Sequence, residues 1–198
     1  MKRVWPVILT MLLLTFSEAT ALADEAGVLT EAELSAWLDP LLTSTANVAP
    51  INAPVGEDAL TEDGYAFLYD SATFFYDKPV LDAQSRLNAV SVTSEALDMP
   101  RGIRLGAPAD MLMTAYGWQN PALSADDSFA PLYALDRLPE AAYWALAQRS
   151  GDQLLSVQCA IHARQSNGRY TDSGVLYTVQ NGVVSAIRVY GLSAAIDL

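Results

Sequence analysis

The chain has 198 residues, 23 acidic against 11 basic, and a formal net charge of −12. A field of that sign repels phosphate backbones and anionic headgroups, which argues against nucleic-acid and membrane-surface partners. Cys159 and His162 are the only cysteine and the only histidine, so an intrachain disulfide is excluded, as is a zinc site built on the usual nitrogen and sulfur ligands.

The N-terminus carries an export signal. Met1-Lys2-Arg3 is a short basic stretch, Val4 to Phe16 is apolar apart from Pro6, Thr10 and Thr15, and Ala21-Leu22-Ala23 places small residues where a signal peptidase reads them. The apolar run is shorter than the roughly 20 residues a spanning helix needs. The layout predicts a signal peptide over 1–23, cleavage after Ala23, and a soluble extracytoplasmic chain, secreted or in the cell envelope. The cleavage site has no cysteine to carry a lipid, and no later apolar run reaches spanning length. Charge is uneven in what remains: Asp24 to Asp98 holds 14 acidic residues against Lys78 and Arg86, whereas Met99 to Leu198 holds 8 against 7 arginines.

Thr30-Glu31-Ala32-Glu33 reads as a capping box, and Leu34, Trp37, Leu38 and Leu41 follow at helical spacing. Pro40 lacks an N–H, which predicts that this helix ends or kinks near Asp39. Thr43 to Asp63 reads as a long polar connection. Tyr65–Tyr69, Thr73–Tyr76 and Leu87–Thr93 read as strands, the first two aromatic-rich. Pro108, Asp110 and Gly117 bracket a short helix over about 108–116. Trp118–Ser128 reads as loop and Leu132–Leu135 as a short strand. Tyr143–Gln148, Leu154–Arg164, Gly174–Gln180 and Val183–Tyr190 then form an antiparallel four-stranded meander. Its last turn, Asn181-Gly182, carries the two-residue signal of a type I′ hairpin.

The order helix, loop, strands occurs twice, over 24–98 and 99–198, and Leu87–Val92 resembles Val183–Val189 in pattern. Short apolar strands match by chance often enough that this order alone does not establish a repeat.

Motifs for catalysis are absent. Cys159 and His162 are three apart on a predicted strand and so face opposite ways, the cysteine with Val157, Ile161 and Ala163 on the apolar side. There is no Gly-x-Ser-x-Gly, no Ser-x-x-Lys around Lys78, no phosphate-cradling loop and no Asp-x-Asp-x-Asp-Gly calcium loop. The pairs Glu57-Asp58, Glu62-Asp63 and Asp126-Asp127 are the candidates for two-carboxylate hydrolysis. Exposed aromatic residues mark recognition surfaces, and Tyr65, Tyr69, Tyr76, Trp118, Tyr133 and Trp144 are the candidates here.

Arg101 to Gly117 (RGIRLGAPADMLMTAYG) resembles the repeat unit of the β-lactamase-inhibitor-protein-like fold. There a strand ends in glycine, a short helix follows and a second glycine closes it before an antiparallel sheet. The stretch is also similar to small envelope-assembly lipoproteins and to secreted proteins of Gram-positive bacteria. The resemblance implies a bacterial, non-enzymatic protein binder. The chain lacks the inhibitor's disulfides and the lipoproteins' lipidated cysteine, and no functional residue carries over.

The expected fold is α+β, with short helices packed on antiparallel sheets in one or two helix-plus-sheet units. The expected function is a non-catalytic binding or envelope module for a protein or peptide, without a cofactor. The alternative is a small carboxylate-dependent hydrolase acting on glycan or cell wall.

Overall fold

A computed structural model describes residues 27–46, 48–55, 59–82, 84–116, 128–137, 140–164 and 168–192. The predicted signal segment and cleavage site, Glu57-Asp58, and Gly117 to Asp127 with Trp118 and Asp126-Asp127 lie outside them.

Helix α1 (Glu31–Thr45) begins at the capping box: Thr30 Oγ1 accepts from Glu33 N, and the Glu33 carboxylate accepts from Thr30 N. It buries Leu34, Leu38 and Leu41, each contributing roughly 1.5–3 kcal/mol by leaving water. The helix does not end at Asp39. It runs through Pro40 for a further turn. An interior proline costs about 3 kcal/mol. Pro40 and the carbonyl it leaves unbonded, on Ala36, are on the solvent side, whereas Leu41 beyond it is in the core. Water can satisfy that carbonyl, so burial of the last turn outweighs the loss.

Nine strands follow among the described residues: β1 (Leu60–Thr61), β2 (Gly64–Leu68), β3 (Ala72–Tyr76), β4 (Leu87–Val92), β5 (Phe129–Arg137), β6 (Ala141–Ser150), β7 (Gln153–Arg164), β8 (Tyr170–Gln180) and β9 (Val183–Tyr190). A 3₁₀ turn (Pro100–Gly102) and helix α2 (Ala109–Ala115) separate β4 from β5. The polar connection after α1 is thus not wholly irregular: β1 pairs with β2, and Asn52 bridges Leu68. The short strand expected at Leu132–Leu135 is a nine-residue strand that absorbs Pro131 at a bulge, as an edge strand can.

The strands form one antiparallel sheet in the order β1-β2-β3-β4-β9-β8-β7-β6-β5. Two meanders, each preceded by a helix, are joined through their last strands, with Val90 opposite Val189. The C-terminal meander has five strands because β5 adds to β6. At the β8–β9 turn Asn181 and Gly182 adopt φ of 54° and 77°, the left-handed pair a type I′ turn requires. The segment before α2 extends the sheet locally: Gly106 N donates to Val184 O, and Val184 N to Ala107 O, both at 2.8 Å.

Side chains alternate across the sheet. The inner face carries Tyr65 and Phe67 of β2 with Tyr69 just beyond it, Phe74 and Tyr76 of β3, and Val157, Cys159 and Ile161 of β7. These pack with the buried leucines of both helices into one core. Among the described residues no helix is long and apolar enough to cross a membrane.

Candidate functional site: the outer sheet face and the polar cluster beneath it

The sheet's other face presents a surface built by register. Ala134, Trp144, Ala160, Gly174 and Tyr190 stand in one row across β5–β9. Leu146, Gln158, Leu176 and Arg188 form the next row, and Ala142, His162 and Asp172 flank it on the other side. Trp144 keeps 37% of its surface exposed, while Leu146, Leu176 and Tyr190 are partly exposed. Trp144 and Tyr190 stand among small residues. An alanine Cβ at Gly174 would lie 2.7 Å from the Tyr190 hydroxyl. The tip of the Tyr190 ring therefore lies over Gly174 of β8, and its hydroxyl accepts from Gln158 Nε2 at 2.8 Å. The result is an aromatic and aliphatic platform edged by polar groups, the composition of a recognition surface.

A hydrogen-bonded pair and an ion pair border the platform. His162 Nδ1 and Asp172 Oδ1 are 2.6 Å apart on neighbouring strands. Arg188 pairs with Asp63 of the β1–β2 turn, and Asp63 O accepts from Asn88 Nδ2 at 2.9 Å. That turn thus reaches the outer face, and one carboxylate of the Glu62-Asp63 pair is held by a guanidinium. Among the described residues no three of His, Cys, Asp and Glu are grouped to hold a metal ion.

The predicted aromatic residues divide. Trp144 is on the platform. Tyr65 and Tyr69 are buried on the inner face beside Phe67, because residues two apart share a face and this set faces the helices. Tyr76 is inner and partly buried, stacked near Phe74, and burial pushes its hydroxyl up to about 12, Tyr69 adding to the shift. Tyr133 is inner as well, its hydroxyl accepting from Leu29 N at 3.1 Å. Trp118 lies outside the described residues. The platform residues missed from sequence are Tyr190, Leu146 and Leu176. Their signal was parity with Trp144 across the meander, legible once register is known.

Beneath the sheet lies a buried polar cluster that links both helices to it. The Tyr116 and Tyr177 hydroxyls are 2.6 Å apart. Burial raises both, and it pushes the Cys159 thiol up to about 12. A thiol so protonated and enclosed is a core hydrophobe with little nucleophilic character. Native Cys159 is expected to react with iodoacetamide at pH 8 at least about a thousandfold more slowly than the urea-unfolded chain. Labelling at comparable rates would refute its burial.

Arg101 caps this cluster. Its φ is 66°, and its guanidinium is 4.9 Å from the centroid of the Tyr116 ring. Nε and Nη2 each donate to the Glu33 carboxylate at 3.0 Å, Nη1 donates to Ala115 O at 2.6 Å, and Nη2 donates to Val28 O at 2.5 Å. One side chain thus fastens the segment before α1, the first turn of α1 and the end of α2. Burial alone would raise Glu33, but bonds from Arg101 and Thr30 outweigh it and hold its carboxyl below the usual value.

Comparison with protein-family models, with curated proteins and with solved structures returns no match for this chain.

Proposed function

We propose that the protein is an exported, non-catalytic binding module that engages a protein or peptide partner through the outer face of its sheet. The observation that carries this reading is the Trp144–Tyr190 platform with Leu146 and Leu176, apolar area left open on a sheet whose other face already packs a full core. Aromatic anchors with a polar rim are where binding energy concentrates in protein interfaces. The basic, apolar and small-residue layout of 1–23 supports export, with cleavage after Ala23 part of the proposal. The resemblance of Arg101–Gly117 to the β-lactamase-inhibitor-protein-like repeat unit supports a protein partner. The excess of negative charge favours a partner with a basic surface.

The test is capture from the envelope fraction and culture fluid of the producing cell, with the purified protein as bait and bound proteins identified by mass spectrometry. One enriched protein is expected, retained on wild type and reduced at least about tenfold on Trp144→Ala and Leu176→Glu, because an interfacial anchor is worth 2 kcal/mol or more. Equal capture by wild type and both variants would remove the outer face from the function. Recovery of no protein, with turnover of a glycan or peptidoglycan substrate, would favour a carboxylate-dependent hydrolase.

A further inference from the structure

A concavity of about 870 Å³ opens where α2 begins and two hairpins end. The start of α2, the β6–β7 turn and the β8–β9 turn line it, and it shares no lining residue with the Trp144 platform. Its floor is apolar: Val179 is buried, and Met113 and Leu154 are partly so. Its rim carries Asp110 from the helix and Asp152 from the turn, both exposed, with the amide of Asn181 alongside. Among the described residues Arg149 is the single cation of the lining, and it has an interaction of its own within the fold.

We propose that this groove takes a basic segment of a protein, with a lysine or arginine side chain laid along it. The long aliphatic stem of such a residue covers apolar surface while its head stays at the polar edge. A floor of Met113, Leu154 and Val179 matches the stem, and Asp110 and Asp152 at the rim match the charge. The excess of acidic residues lies in 24–98, outside the groove's lining, so the charge match rests on Asp110 and Asp152. An acidic or purely apolar segment would leave one half of this chemistry unmet. The site stands independently of the outer-face reading, since different elements build it.

The probe is acetyl-Ala-Leu-Lys-Leu-Ala-amide, titrated into the purified protein beside versions carrying norleucine or glutamate in place of lysine. Backbone amide shifts report the site. The lysine peptide is expected to shift amides of 109–113, 149–155 and 179–182, with affinity falling as salt rises. Asp110→Asn and Asp152→Asn should each weaken it roughly two- to fivefold, the worth of an exposed charge pair, while Leu176→Glu leaves it unchanged. Both aspartates are exposed, so neither variant threatens folding. Equal binding of the norleucine peptide, shifts confined to the outer face, or no shifts at about 1 mM peptide would each overturn the assignment. Loss of partner capture by Leu176→Glu with peptide binding intact separates the two sites.

Discussion

Replacing Arg101 by alanine is expected to cost about 3 kcal/mol of folding stability, near the lower end for removing one member of a largely enclosed ion pair. The side chain is only 20% exposed and Glu33 is 35% exposed. Alanine would leave the Glu33 carboxylate without its cation and strip a donor from the carbonyls of Val28 and Ala115. It would also remove the guanidinium from the Tyr116 ring. For a chain of this size that loss lowers the melting temperature by roughly 6–12 °C. Arg101→Ala within 1 kcal/mol of wild type in urea unfolding would refute the fastening role.

Glu33 gives the same contact a pH signature. Its folded pKa lies below the ordinary value of 4.5. Its contribution is therefore fully present above pH 4.5 and is lost as pH falls through the lower folded value. Glu33→Gln removes that dependence. Because the carboxylate is one-third exposed, solvent screening limits the effect to about 1 kcal/mol. The stability gap between wild type and Glu33→Gln should be widest near pH 6 and should close towards pH 3. A gap that grows on acidification would reverse the assignment.

Gly174→Val is expected to be as damaging as the loss of Arg101, at about 3 kcal/mol, although valine is the better strand former. Intrinsic preference offers at most about 1 kcal/mol in its favour. Space decides against it: a Cβ here would overlap the carbonyl oxygen of Cys159 and crowd the Tyr190 hydroxyl. Overpacking a rigid site costs 1–3 kcal/mol or more, and a backbone carbonyl in a central strand cannot rotate aside. Tyr190→Ala in the same chain should recover only a small part of the loss, because the backbone overlap remains. Full recovery would show that the tyrosine alone sets the requirement for glycine.

Local signals were legible in the sequence. The capping box at Thr30–Glu33 starts α1, Asn181-Gly182 makes its turn, and Val183–Tyr190 forms a strand with the bounds expected. The alternation that buries Cys159 and turns His162 outward is also found. In each case residues within one turn or one strand decide the outcome. What depends on distant partners was not legible. Pro40 continues a helix because Leu41 finds the core. Strand parity placed Tyr65, Phe67 and Tyr69 together, but only the docked helices decide that their face is the inner one. Arg101 reads as a loop residue until Val28, Glu33 and Ala115 converge on it. The pairing of β4 with β9 makes one sheet of two meanders, and it joins residues about a hundred positions apart.

The outer face is most directly tested by carbene footprinting of the protein, free and bound to its captured partner, with labelling resolved to single residues. Protection centred on Trp144, Leu146, Leu176 and Tyr190, with Met111 of α2 labelled as before, is the expected result. Unchanged labelling of those four residues in a complex that protects the helices would contradict it.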